Sequence, residues 1–168
     1  MATVITYINE KGGTGKTSIC MNVSWELANK GKKVLIVDID GQKSNLTYFI
    51  GKSGEAKRSL YDILQNEIPA KDVILPVKEN LDILPATLPV TDLSPTIAPL
   101  KKVRPIIKDL REDYDYIMID VNPSPQWSHY IALSLSDYVQ IIMLPDVASL
   151  PAGSGMAESI QEVWESRN

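Results

Sequence analysis

The chain has 168 residues, 44% hydrophobic and 23% charged, with a formal net charge of −4; this is one ordinary domain's worth of sequence, with enough apolar content for a core and too much for disorder. The single cysteine (Cys20) and single histidine (His129) exclude a disulfide framework, a multi-cysteine iron–sulfur site within the chain and histidine-clustered zinc chemistry. No apolar run reaches the roughly 18 residues of a membrane span, Met1 to Val4 hold no basic-then-apolar signal region, and a pI near 5.0 gives no global signal for nucleic acid, so the expectation is a cytoplasmic protein.

In chain order, Val4-Ile5-Thr6-Tyr7-Ile8 is a short β-branched run that predicts a buried strand. Glycines and charges follow at once, in Glu10-Lys11-Gly12-Gly13-Thr14-Gly15-Lys16. Ile19, Cys20, Val23 and Leu27 then recur at helical spacing, with Gly31 placed to end the helix. Val34 to Val37 predicts a second buried strand, ending in Asp38-Ile39-Asp40. Strand, loop, helix and strand in this order signal a parallel sheet. Ser59 to Gln65 reads as a short helix and Leu81 to Leu84 as a strand. Seven prolines from Pro69 to Pro105 make the surrounding region mostly loop with short elements. Val103, Ile106, Ile107 and Leu110 have helical spacing, with Pro105 at the start or at a kink. Tyr116 to Ile119 is a third strong strand, ending in Asp120, and Val139 to Leu144 a fourth. Gly155 to Ser166 puts Met156, Ile160, Val163 and Trp164 on one helical face. The expected fold is α/β, a doubly wound and mainly parallel sheet with helices on both faces, formed by residues 1–168 as a single domain.

Gly13, Gly15, Lys16 and Thr17 have the spacing of the end of a phosphate-binding loop. Glycines let several backbone N–H groups converge on one phosphate, and the following helix adds its positive dipole end. Lys16 can reach the β- and γ-phosphates as a point charge, the Thr17 hydroxyl can ligate Mg²⁺, and Ser18 can help at the α-phosphate. The strict pattern is not met, because Glu10 stands where its first glycine belongs. The plainer alternative is a glycine-rich turn between a strand and a helix.

The departure resembles a known one. Lys11-Gly12-Gly13-Thr14-Gly15-Lys16-Thr17 is similar to the deviant Walker A motif of the ParA/MinD group of ATPases, which carries a second, signature lysine, matched here by Lys11. Val34 to Thr47 (VLIVDIDGQKSNLT), Leu81 to Thr87 (LDILPAT), Tyr114 to Ser124 (YDYIMIDVNPS) and Asp137 to Pro145 (DYVQIIMLP) resemble successive ParA segments in the right order, closer to the partition branch (ParA, Soj) than to MinD. The resemblance implies a P-loop NTPase that binds ATP and Mg²⁺ at Lys11, Gly12, Gly13, Thr14, Gly15, Lys16, Thr17 and Ser18. It implies that Lys11 reaches the partner's nucleotide across a dimer interface, and that Asp40 positions the attacking water. Asp120, ending a strand beside the loop, would hold Mg²⁺ with Thr17, and Asp38 would support that shell or the loop. Strand-end acids also serve simply as turn formers or helix caps, so the plainer reading of Asp38, Asp40 and Asp120 stays open. The implied function is a slow, partner-stimulated ATPase that forms an ATP-dependent homodimer and partitions plasmid or chromosomal DNA with a ParB-like partner, on the nucleoid. The alternatives are a MinD-like membrane-cycling ATPase and a nucleotide-gated binding module with negligible hydrolysis.

Departures from the family pattern fall in the switches: Gly41 where Pro is usual, Lys43 where Gly is frequent, and Asn122-Pro123 in switch II. They bear on hydrolysis rate more than on nucleotide binding. Cys20 reads as a small core residue, His129 as a satisfied or surface histidine, and Trp127 as packing or a partner contact. The Met156/Ile160/Val163/Trp164 stripe reads as packing, because Glu158, Glu162 and Glu165 beside it do not suit a membrane surface. Lys101, Lys102 and Arg104 read as a solvated face or a small DNA site. By the family's standard the chain is C-terminally short, and the missing part is where adenine and DNA contacts are expected.

Overall fold

The computed structural model describes residues 1–39, 46–86, 98–123, 127–145 and 149–165. The first half runs β1 (Thr3–Ile8), α1 (Lys16–Asn29), β2 (Val34–Asp38), α2 (Leu46–Phe49), α3 (Leu60–Asn66), a 3-10 turn (Ala70–Asp72), β3 (Leu75–Lys78) and β4 (Leu81–Leu84). The second half runs α4 (Ala98–Leu110), β5 (Tyr116–Asp120), α5 (Trp127–Leu135), β6 (Tyr138–Ile141) and α6 (Ser149–Glu165). The six strands form one sheet in the order β3-β4-β2-β5-β1-β6, parallel throughout except for the antiparallel β3–β4 pair.

The expected doubly wound architecture follows from the pleat. Every residue of β2 is buried, as a strand covered on both faces requires. Successive side chains then alternate between two helical layers. Val34, Ile36 and Met118 pack with Cys20 and Ala28 of α1. Leu35, Val37, Ile117 and Ile119 pack with Ile63, Ile107, Ile131 and Ile160 of α3, α4, α5 and α6. Ser59 caps α3 through a reciprocal pair with Asp62, its backbone N–H donating to that carboxylate at 2.9 Å.

Four expectations need correction. The buried face of α1 is Lys16, Cys20, Ser24 and Ala28, while Ile19 and Val23 are each 38% exposed. Small side chains let the helix lie close to the sheet, and the Ser24 hydroxyl is satisfied by the Cys20 carbonyl at 2.7 Å. Second, one of the short elements expected among the prolines is a strand, β3, that the sequence did not single out. It was hidden by Pro76, which the unpaired side of an edge strand tolerates. Third, β6 stops at Ile141 and is an edge among the described strands, with alternating exposure. Fourth, α6 begins at Ser149, with Pro151 in its first turn where a missing N–H costs nothing. Of the expected packing stripe, Met156 and Ile160 are buried in the core and Val163 is partly buried against it, whereas Trp164 is 39% exposed. Among the described residues no helix is long and apolar enough to cross a membrane.

Candidate nucleotide-binding site

The candidate site forms where β1, β2 and β5 end. The loop from Asn9 to Gly15 leaves β1 and enters α1, with Gly15 as its N-cap. Gly13 and Gly15 have φ of +74° and +92°, which other residues adopt only with strain. The loop lies against the β5–α5 connection: a Cβ on Gly12 would meet the Pro123 ring at 4.0 Å.

Both lysines of the motif are placed by this loop, in different surroundings. Lys16, the first residue of α1, is buried, and its ammonium donates back to the Lys11 carbonyl at 3.3 Å. Thr14, also buried, approaches the same carbonyl with its hydroxyl at 3.4 Å. The Lys11 residue is exposed. Its backbone N–H donates to Asn9 Oδ1 at 2.7 Å, while Asn9 Nδ2 donates to the Ile142 carbonyl at 2.6 Å. Asn9 therefore ties the start of the loop to the end of β6.

The acids form a row. Asp120 is the register partner of Tyr7 on β1 and of Asp38 on β2. Both carboxylates are fully buried. They share the α1 side of the sheet, since they have the parity of Met118 and Ile36, which pack there. Cys20 of α1 lies within their field. Burial pushes its thiol well above the ordinary value, and the charges of Asp120 and then Asp38 add to the shift. Asp38 Oδ2 accepts from the Thr47 N–H at 2.8 Å and from the Thr47 hydroxyl at 2.6 Å. Ala86 N–H, just beyond β4, donates to that hydroxyl at 3.2 Å.

The β5–α5 connection is held from α5. Ser128 donates to Asn122 Oδ1 at 3.3 Å, and His129 Nε2 bonds the Asn122 carbonyl at 2.7 Å. Burial pulls the His129 pKa below its ordinary value, against smaller upward effects of the Asn122 carbonyl and Glu10, with Lys16 lowering it further. His129 is thus a satisfied, buried histidine. Neutral and donating from Nε2, it fixes Asn122 in place.

Gly12, Gly13, Thr14, Gly15 and Lys16 are brought together with Thr17 and Ser18 at the head of α1, and the Asp38–Asp120 row stands at the neighbouring strand ends. Asp40, Gly41 and Lys43 lie outside the described residues, as does the Trp127 side chain. The donor chemistry suits Mg²⁺: hard oxygen ligands, with no cluster of three His, Cys, Asp or Glu among the described residues. An ion that takes its remaining ligands from phosphate and water needs no such cluster. Sequence reasoning missed Asn9, Thr47 and Ser128. The available signal was only their placing, as short polar residues directly after a strand or at a helix start.

Comparisons with known proteins give the chain's likeness. Residues 2–168 match the family model described as an AAA domain. The sporulation initiation inhibitor protein Soj of Bacillus subtilis is 34% identical over 174 residues, covering 100% of this chain and 68% of its own length. The cell division protein PomZ of Myxococcus xanthus is 32% identical over 171 residues, covering 96% of this chain and 52% of its own. A putative plasmid partition protein of Borrelia burgdorferi, solved bound to AMPPNP, superposes with a TM-score of 0.86 at 28% identity, covering 97% of this chain and 70% of the other. The chain thus spans about half to two thirds of these curated relatives.

Proposed function

This chain belongs to the ParA family of P-loop ATPases, and from that premise we propose that it is a Mg-ATP-dependent partition ATPase. It dimerises on ATP, hydrolyses it slowly to ADP and phosphate, and segregates plasmid or chromosomal DNA on the nucleoid with a ParB-like partner. The observation that carries the reading is the buried Lys16 at the head of α1, behind a loop with two left-handed glycines, beside the Asp38–Asp120 row. The relatives are named for different roles: sporulation control, cell division and plasmid partition.

The residues divide the chemistry as follows. Backbone N–H groups from Gly12 to Ser18 hold the phosphates, aided by the dipole of α1. The Lys16 ammonium exchanges the Lys11 carbonyl for the β- and γ-phosphates. Lys11, exposed, extends to the nucleotide of the partner subunit. Thr17 and Asp120 would hold Mg²⁺, with Asp38 behind them, and the ion would supply neutralisation of charge on the phosphate oxygens. Asp40 orients the water that attacks the γ-phosphoryl group. Positioning and charge stabilisation supply most of the rate enhancement.

The test is light-scattering mass on a sizing column, with Mg²⁺ and either a slowly hydrolysed ATP analogue or ADP. A dimer only with the analogue supports the reading, and a Lys11→Ala chain should bind the analogue but stay monomeric. A monomer under both conditions overturns it.

A further inference from the structure

The structure separates the basic residues that the sequence groups together. Lys102 turns toward α3 and donates to the Leu64 carbonyl at 2.8 Å. Lys101 and Arg104 are instead joined by Lys108 and Arg111. At 100° per residue these four fall within about 80° on one side of α4 and span about 15 Å of its axis. They line an open groove of about 690 Å³, opposite Ser134 and Leu135 of α5, and no carboxylate is among the lining residues. Arg111 is committed to the fold: it pairs with Asp137 at 3.0 Å and donates to the Ala2 and Leu135 carbonyls. Lys101, Arg104 and Lys108 are exposed and form no ion pair among the described residues. Asp109 of this helix and Asp113, just beyond its end, line the other flank with Lys71 and Lys102. A chain with 21 acidic and 17 basic residues thus gathers uncompensated positive charge on one face.

We propose that this face of α4 holds the sugar–phosphate backbone of double-stranded DNA without reading its sequence. The inference rests on the partition reading above and names the surface that would carry the DNA. A rigid helix presenting cations about one to three turns apart matches a regular row of phosphates, and counterion release supplies the affinity. The lining has no aromatic side chain on which single-stranded bases would stack. It has no Asn, Gln or carboxylate to join the cations in reading base edges. The apolar side of α4, with Val103, Ile107 and Leu110, is already buried in the core, so the helix has nothing to insert into a bilayer. The Arg111 end of the groove lies at the start of β1, whereas the phosphate loop follows its other end at Ile8. Six strand residues at about 3.3 Å each put the two sites roughly 20 Å apart, so both can be filled at once.

The experiment is fluorescence anisotropy with a labelled random-sequence duplex, in Mg²⁺ and the ATP analogue, over a salt series. The chains compared are wild type, the triple variant Lys101→Gln/Arg104→Gln/Lys108→Gln, and a charge-matched control, Lys30→Gln/Lys32→Gln/Lys33→Gln. The expected result is binding weakened on the order of tenfold to a hundredfold for the α4 triple only, with the slope of log K against log salt smaller by about 2 to 3. Lys101→Arg/Lys108→Arg should restore it. If wild type and the α4 triple bind DNA equally, the surface is wrong and the partition reading stands. If the analogue-bound dimer forms but wild type binds no duplex, the surface and DNA carriage fail together. If the α4 triple instead loses only binding to phosphatidylcholine–phosphatidylserine vesicles, the face meets a membrane and the proposal is overturned.

Discussion

Asp38 takes both hydrogen-bond donors of Thr47, the backbone N–H at 2.8 Å and the hydroxyl at 2.6 Å, while that hydroxyl accepts from Ala86 N–H at 3.2 Å. Three chain segments meet at one buried threonine. The start of α2 is fastened there to the ends of β2 and β4. Asp38 is therefore a positioning residue for that segment as well as a neighbour of Asp120.

Replacing Thr47 with Val keeps the shape but removes the hydroxyl, leaving Ala86 N–H and one carboxylate lone pair without their partner. A loss of about 1–3 kcal/mol is expected, with Thr47→Ser costing much less. Urea unfolding midpoints check this, and a Thr47→Val chain as stable as wild type contradicts the network's importance.

His129 sets an acid-side limit on stability. Its folded pKa lies below the ordinary 6.5, so the unfolded chain binds the proton more readily. The corresponding stability is present above about pH 6.5 and is lost as pH falls through the folded value. Between pH 7.5 and 5.5, wild type should lose more stability than His129→Gln, whose side-chain amide can still donate to Asn122. Equal losses in the two chains would rule the histidine out as the cause.

Cys20 should be inert in the native protein. It is fully buried, and both burial and the two neighbouring carboxylates disfavour its thiolate. Iodoacetamide at pH 8 is expected to leave the native chain unlabelled and to label it fully in urea. Rapid native labelling would show that α1 does not pack against the acid row as described.

The strongly patterned parts of the fold were legible in the sequence. Val34 to Val37 and Tyr116 to Ile119 are apolar runs of the kind only a doubly covered strand tolerates, and they form the buried centre of the sheet. What the pattern hid was set by neighbours. The helical spacing of Ile19 and Val23 suggested a buried face, but close packing onto the sheet favoured the small side chains of Cys20, Ser24 and Ala28. Pro76 concealed a strand because its suitability depends on being at an edge, which only the assembled sheet determines. At the site, the loop was visible because glycine and lysine at that spacing are required by phosphate chemistry. Asn9 and Thr47 were not, because each works through backbone groups far away in sequence, Ile142 for one and Ala86 for the other.

The central claim is that the loop from Gly12 to Ser18 binds ATP through Lys16, and titration calorimetry with Mg-ATP tests it most directly. Wild type should give a saturable binding isotherm and Lys16→Ala none, while both chains keep the same urea midpoint. Unchanged affinity in a folded Lys16→Ala chain would contradict the assignment of the site.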